Sequence, residues 1–353
     1  MTRRAGSCWL TSEPFNFTAD QLLYPRMTIS ELPEEVLLEM FSFYLGHRPD
    51  DEHAWYELVH VCRRWRCLVF ASPHRLRLRL VCTDKRPVKE ALDLWPDLPI
   101  SICAHDFKPT RIQTLETNVI AALEHHDRVC DIILGAYPTS LMKILSTMKK
   151  PFPSLINLEI VSLLRKKSMI PDSFLGGSAP LLQSIQFLNI PLSCPEIRKL
   201  LFSAPNLVSL CLFLVPRSGP GCTSPEAMVN GLSVLTRLKS LRLSFSLQTP
   251  PPQLQQASGH RLPFTRVVLP VLTDIDFCGD KEYLEDIVSR IDTPLLVNIT
   301  ITFPHGSIPV TPPLRDFISR TEEFGACSKI DTDSSTGSDR TKIKFFRRDG
   351  EEL

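Results

Sequence analysis

The chain has 353 residues, 43% hydrophobic and 22% charged, with a net charge of +1. That is ordinary globular composition with room for two or three domains, and so small a net charge gives no global pull toward nucleic acid or an anionic membrane. No apolar run approaches the ~20 residues of a membrane span, and the start, Met1-Thr2-Arg3-Arg4, has no apolar stretch behind it, so no signal peptide is expected.

Residues 1–27 are expected to be a flexible N-terminal segment. The first informative block is Leu32-Pro33-Glu34-Glu35-Val36-Leu37-Leu38-Glu39-Met40-Phe41. Pro33 suits the first position of a helix, where its missing N–H costs nothing. Glu34 and Glu35 put negative charge at the positive end of the helix dipole, and Ser30 or Thr28 is available as a cap. Val36, Met40 and Phe43 recur at helical spacing, with Leu37 and Phe41 beside them. After a polar link at 46–52, Trp55 and Tyr56 open a second region. It runs into Val61-Cys62-Arg63-Arg64-Trp65-Arg66-Cys67-Leu68-Val69-Phe70. Val61, Trp65 and Leu68 fall at i, i+4 and i+7, and Leu58, Cys62 and Val69 widen the stripe. Arg63, Arg64 and Arg66 take the solvent side, and Pro73 ends the region. A unit of roughly 45 residues rarely supports itself on its own core. Some of this apolar surface is therefore expected to face a partner, or to cap the next domain.

The two blocks, Leu-Pro-x-Glu-x-Leu and then Val-Cys-Arg-x-Trp about 25 residues later, resemble an F-box. This small helical module docks a protein onto the SKP-type adaptor of a cullin–RING ubiquitin ligase. The link between the blocks is longer than the usual F-box spacing. The resemblance implies an adaptor surface formed or supported by Leu32, Pro33, Val36, Leu37, Met40, Phe41, Val61, Cys62, Trp65 and Phe70. Trp65 and Phe41 stand out as anchors, because truncating a buried interface aromatic often costs ~2 kcal/mol or more.

From about residue 76 one pattern returns: apolar, two residues, apolar, one residue, apolar. It reads Val129/Ile132/Leu134, Leu155/Leu158/Ile160, Leu182/Ile185/Phe187, Leu207/Leu210/Leu212, Leu238/Leu241/Leu243, Leu272/Ile275/Phe277 and Leu296/Ile299/Ile301. The starts lie 26, 27, 25, 31, 34 and 24 residues apart. The stretches Leu76 to Val81 and Leu98 to Ile102 are expected as earlier members. Helical spacing marks segments between these strands: Leu141/Ile144/Leu145/Met148, Ile197/Leu200/Leu201 after Pro195, Met228/Leu232/Leu235 after Ser224-Pro225-Glu226, and Leu284/Ile287/Val288/Ile291. One strand and one helix per 24–34 residues is the pattern of a leucine-rich-repeat solenoid. The expected class is thus α/β: a small helical module, then an irregular leucine-rich-repeat-like horseshoe. An ordinary α/β sheet is the alternative.

Regular leucine-rich repeats carry Asn or Cys three residues after the last strand leucine. Here those positions are Leu163, Ile190, Val215, Ser246, Asp280 and Pro304, so no asparagine ladder is expected. Residues 249–263, with Pro250-Pro251-Pro252, read as an exposed loop that enlarges one repeat. Residues 323–353 are polar and read as a disordered tail or a loose last strand. The domain division is therefore 1–27, 28–73, 74–322 and 323–353.

Sharper chemical readings find little support. Arg75, Arg77 and Arg79 alternate with Leu76, Leu78 and Leu80, as in a strand with one wet face, and no aromatic interleaving suggests nucleic acid. His125-His126-Asp127 reads as a solvated helix end. Gly176-Gly177-Ser178 lacks the Gly-Lys-Ser/Thr of a phosphate loop and reads as a turn. No Gly-x-Ser-x-Gly or His-Glu-x-x-His is present, so an enzyme is not expected and no cofactor is implied. Eleven scattered cysteines, an odd number, sit partly in apolar runs, as Cys62, Cys130, Cys211 and Cys278 do. They read as small hydrophobes in a reducing cytoplasmic or nuclear compartment, and Cys62 and Cys67 lack the second pair a zinc site needs.

The repeat region is also similar, over roughly 29–325, to F-box proteins of mushroom-forming (basidiomycete) fungi. The strings that carry this are Ile120-Ala121-Ala122-Leu123-Glu124-His125, Asp172-Ser173-Phe174-Leu175-Gly176-Gly177-Ser178-Ala179-Pro180, Leu235-Thr236-Arg237-Leu238, Tyr283-Leu284-Glu285-Asp286 and Phe317-Ile318-Ser319-Arg320-Thr321. The resemblance implies a substrate receptor, partnered by the SKP-type adaptor and through it by cullin and RING proteins. Its repeat domain would hold an unnamed target protein, with no nucleic acid or membrane as partner. The alternative is a scaffold outside the ligase system, with the N-terminal helices as a cap.

Overall fold

The computed structural model describes residues 28–47, 54–73, 75–83, 88–94, 98–105, 112–164, 170–171, 173–190, 194–214, 224–245, 266–303, 311–321 and 341–346. The segment 1–27, the loop 249–263 and most of the polar C-terminal region lie outside them. The chain divides into two compact units, Met1–Arg77 and Leu78–Leu353, so the boundary follows Arg77 rather than Pro73.

The first unit holds three helices, α1 (Glu34–Gly46), α2 (Ala54–Val61) and α3 (Arg63–Ala71). Leu37, Leu38 and Phe41 from α1, Ala54, Trp55, Leu58 and Val59 from α2, and Leu68 and Val69 from α3 form its core. The expected continuous stripe through Val61, Trp65 and Leu68 is corrected here. Cys62 is extended (φ −156°, ψ 169°), its thiol accepts the Trp65 N–H at 3.5 Å, and the helix breaks there. Val61 therefore ends α2 and Trp65 belongs to α3. Pro33 stands just before α1 rather than inside it, and its carbonyl accepts the Leu37 N–H at 3.1 Å. Thr28 and Ser30 do not cap α1; they belong to a 3-10 turn, Ile29–Glu31, where the Glu31 carboxylate accepts the Thr28 N–H at 3.1 Å.

The second unit is α/β. Its strands are β1 (Leu80–Cys82), β2 (Ile100–His105), β3 (Val129–Ala136), β4 (Asn157–Ser162), β5 (Ser184–Leu188), β6 (Ser209–Leu214), β7 (Ser240–Phe245), β8 (Val267–Val268), β9 (Asp274–Cys278), β10 (Ile291–Asp292), β11 (Asn298–Phe303) and β12 (Thr341–Phe346). Ten of them form one sheet in the order β1-β2-β3-β4-β5-β6-β7-β9-β11-β12, which is chain order throughout. Nine are parallel, and β12 closes the series antiparallel to β11. The stretch read as a disordered tail or loose last strand thus contains a paired strand. The helices are α4 (Val88–Leu94), α5 (Ile112–Leu123), α6 (Pro138–Thr147), α7 (Cys194–Ser203), α8 (Pro225–Leu232), α9 (Lys281–Arg290) and α10 (Pro312–Arg320). Ser224 caps α8 by accepting the Ala227 N–H at 3.1 Å, Pro225 takes the first position and Glu226 the first turn, as the sequence predicts. Helices α4, α5 and α10 were not in the expected set.

The recurrent apolar pattern sets the register. Ile132, Leu158, Ile185, Leu210, Leu241, Ile275 and Ile299 stand opposite one another across seven strands. Leu134, Ile160, Phe187, Leu212, Leu243, Phe277 and Ile301 form a second row beside them. Every member is buried, and burying each such side chain contributes roughly 1.5–3 kcal/mol. A one-residue slip would turn a whole strand's set to the other face. The alternate residues of β4, β5, β9 and β11 are only half-buried, so these strands keep one face wet.

The first apolar residue of six of the seven repeats closes a turn into its strand. Leu155, Leu182, Leu207, Leu238, Leu272 and Leu296 donate their N–H to the carbonyls of Phe152, Ala179, Ala204, Leu235, Leu269 and Thr293, at 3.1–3.4 Å. In five of the six, Pro153, Pro180, Pro205, Pro270 or Pro294 follows the acceptor residue. Proline there fixes φ where such a turn needs it, which accounts for part of the proline excess. The asparagine ladder is absent from the expected positions among the described residues. One rung exists one residue earlier: Asn189, at φ 58°, donates its side-chain amide to the Ser162 carbonyl at 3.2 Å.

The arginine alternation at 75–79 is not a strand. Arg77 has φ 52°, which breaks extension, and β1 begins only at Leu80. Arg75 pairs with Glu39 at 2.6 Å, and Arg79 pairs with Asp131. Cys82, Cys130 and Cys211 are buried, Cys103 and Cys278 half-buried, and Cys62 and Cys67 exposed, so the buried reading of Cys62 is corrected. Burial pushes the Cys82 thiol up to about 12 and raises Cys130 and Cys211. Alkylation of the native chain with iodoacetamide at pH 8, followed by peptide mapping, should label Cys62 and Cys67 well before these three.

Candidate functional site

The helical unit has an unusual surface. Helix α1 carries two apolar faces. Leu37, Leu38 and Phe41 point inward, whereas Val36, Met40 and Phe43, at i, i+4 and i+7, are 42%, 42% and 69% exposed. Val61, at the end of α2, is 59% exposed, and Ile29 is also exposed. A lone exposed aliphatic is normal; here three exposed apolar side chains align as a stripe on one helix. Of the sequence-predicted residues, Pro33, Val36, Met40, Val61 and Cys62 lie on the surface, Leu32, Trp65 and Phe70 are half-buried, and Leu37 and Phe41 are interior. Phe41 packs on Trp65 at 4.6 Å between ring centroids, so this pair sets the positions of α1 and α3 from inside. Phe43 was left out of the predicted set although its spacing with Val36 and Met40 was visible.

Two of the arginines assigned to solvent hold this surface in place. Arg64 donates to the Leu32 carbonyl at 2.7 Å and to the Ser30 carbonyl, tying the segment before α1 to α3. Arg66 donates to the Val59 carbonyl at 2.9 Å, capping the end of α2 across the break at Cys62. Tyr44 donates to Glu57 and joins α1 to α2. Sequence alone gave these side chains no partners, because the acceptors are backbone carbonyls or come from another helix.

The second surface is the outer face of the sheet. Register places three rows on it. The first is Asp131, Asn157, Ser184, Ser209, Ser240, Asp274 and Asn298. Asn157 donates to Asp131 at 2.6 Å and Asn298 to Asp274 at 2.8 Å, so the same Asp–Asn bridge occurs at both ends. The second row is Ile133, Glu159, Gln186, Cys211, Arg242, Asp276 and Thr300, in which Arg242 pairs with Asp276 at 3.0 Å. The third runs through Val161, Leu188 and Phe213, all half-buried, to Ser244 and Cys278. The face combines hydrogen-bonding side chains with an apolar patch on β4 to β6.

Among the described residues no group of three or more His, Cys, Asp and Glu could hold a metal ion, and no helix is long and apolar enough to cross a membrane. His126 accepts or donates no side-chain bond that suggests a base; its Nδ1 lies 2.8 Å from the Pro151 carbonyl. No protein-family model matches the chain, and no curated protein matches it.

Proposed function

We propose that the chain is a substrate receptor of a cullin–RING ubiquitin ligase, of the kind found in mushroom-forming fungi. Its helical unit docks onto an SKP-type adaptor. Its second unit, read as an irregular leucine-rich-repeat-like solenoid, holds a target protein on its concave face, which this reading assigns to the exposed side of the sheet. The observation that carries the docking half is the second apolar face of α1, Val36, Met40 and Phe43, on a helix whose other face already fills the unit's core. The repeat reading is supported by strands in chain order and by one wet face, since a doubly wound parallel sheet covers both faces. The contribution to ubiquitination is proximity: it raises the effective concentration of target lysines beside the charged carrier.

The test is binding of the purified chain to the SKP-type adaptor, beside a Met40→Asp/Phe43→Asp variant. Both side chains are exposed, so thermal unfolding should hardly change. One-to-one binding is expected, weakened about a hundredfold or more in the variant, because a carboxylate cannot enter an apolar groove without losing its water. A folded wild-type chain that does not bind, or a variant that binds equally well, would sink the receptor reading and leave a scaffold.

A further inference from the structure

The outer face is not uniform, and its pattern bears on what it holds. On β4 to β6 the third row is apolar, with Val161, Leu188 and Phe213 on neighbouring strands. Strands lie ~4.8 Å apart, so these three span roughly 10 Å, the reach of three or four residues of an extended chain. Directly beside them in the second row lie Glu159, Gln186 and Cys211.

Charge singles out Glu159. It is half-exposed, and among the described residues no basic side chain pairs with it. The other acidic groups of the face are matched: Asp131 by Arg79 and Asn157, Asp274 by Asn298 and Thr273, Asp276 by Arg242. Register places Cys211 next to Arg242, with Glu159 and Asp276 each two strands away on either side; burial raises the Cys211 thiol, Arg242 lowers it, and Asp276 and Glu159 raise it again. Among the described residues, two carboxylates against one guanidinium leave this stretch of the second row negative.

We propose that the outer face of β4 to β6 binds an extended peptide segment of the target in which a lysine or arginine, paired with Glu159, stands next to aliphatic residues packed on Val161, Leu188 and Phe213. This rests on the receptor reading, which assigns the sheet face to the target. It narrows the targets to proteins that display an unfolded or looped segment of basic and aliphatic residues.

The experiment uses the full chain and two fluorescein-labelled peptides of equal length, one of alternating Lys and Val and one of alternating Glu and Val. Fluorescence anisotropy is read in low and physiological salt. The Lys-Val peptide should bind at least about tenfold more tightly. Glu159→Gln should remove most of that preference, Glu159→Lys should reverse it, and Phe213→Ser should weaken the Lys-Val peptide. Thermal unfolding checks that each variant is folded, and the milder Glu159→Gln carries the test if Glu159→Lys is not. Equal binding of the two peptides, binding of neither, or a preference indifferent to Glu159 would overturn the proposal. Adaptor binding is measured on the same preparations. If it persists while the charge preference fails, the peptide class is wrong and the receptor reading stands; if it is absent in the wild type, the receptor reading fails by itself.

Discussion

Replacing Arg79 by Met is expected to destabilise the sheet-bearing unit by about 3 kcal/mol, a loss of roughly two orders of magnitude in its folding equilibrium. Asp131 is only 3% exposed, whereas the other members of its cross-strand row, from Asn157 to Asn298, are all half-buried. Its carboxylate is held by the Arg79 guanidinium, by the Asn157 amide at 2.6 Å and by the Cys130 thiol at 3.6 Å. Removing Arg79 leaves a buried negative charge with two neutral donors. The reverse change is gentler, because the Arg79 side chain is 37% exposed and can regain water. Asp131→Ala should therefore cost only about 1–2 kcal/mol, mostly through the unmet Asn157 amide. Urea unfolding of both single variants and the Arg79→Met/Asp131→Ala double variant gives the coupling. The double variant should be more stable than Arg79→Met alone. If the two single variants cost the same, the asymmetry argued from burial is wrong.

A second large effect is expected at the turn that enters β5. Residues Phe174–Gly177 form a tight left-handed turn in which Leu175, Gly176 and Gly177 have φ of 54°, 56° and 70°. Leucine tolerates this because its side chain is fully buried, and that burial outweighs the ~1 kcal/mol or so of left-handed strain. Gly176 has no such freedom. A Cβ there would lie 2.5 Å from the Pro151 nitrogen and 2.6 Å from the Lys150 carbonyl carbon. Both are backbone atoms, fixed by the turn that Leu155 closes onto Phe152 and by the Leu175 N–H donated to the Met148 carbonyl at 2.8 Å. Gly176→Ala should cost about 3 kcal/mol or more, strain plus clash. Gly177→Ala shares the positive φ but meets nothing within 4 Å, so about 1 kcal/mol is expected. Thermal unfolding of the pair separates the two causes. Equal losses would mean that conformation alone, and not the close approach to Pro151, requires glycine at 176.

Much of the strand-and-helix unit was legible because its pattern is local and repeated. A period of apolar, two, apolar, one, apolar names the residues that must share a buried face. The in-register rows from Ile132 to Ile299 and from Leu134 to Ile301 follow from it. The helices α6 to α9 were visible for the same reason. Helix α10 is not among the segments that helical spacing marks, because Leu314 and Phe317 on its buried side are too few to fix a period. Five of the turns that lead into these strands carry a proline, as the motif Ala-Pro-x-Leu at 179–182 and 204–207 shows; sequence places Ala179-Pro180 at the opening of a strand, whereas the structure places the pair in the turn before it.

The helical unit shows where sequence stops. Helical spacing grouped Val36, Met40 and Phe43 with Leu37 and Phe41, but it gives no sign of which face finds a partner inside the molecule. Packing against α2 and α3 chose Leu37 and Phe41 and left the other three in water. The break at Cys62 was likewise invisible, since a backbone φ of −156° is not written in a residue with no strong helix-breaking tendency.

The sequence by itself determined the class of the second unit, the register of its strands and the presence of an amphipathic helical module, because each of these follows from local periodicity and from the need to bury apolar groups. Only the tertiary structure decided the rest: that Arg79 serves a buried carboxylate 52 residues away in sequence, that Arg64 and Arg66 bind backbone carbonyls, that β12 closes the sheet, and that Glu159 stands on the outer face with no paired cation among the described residues. Those are pairings between distant segments, and a pairing is set by where the chain brings two groups together, which periodicity does not encode.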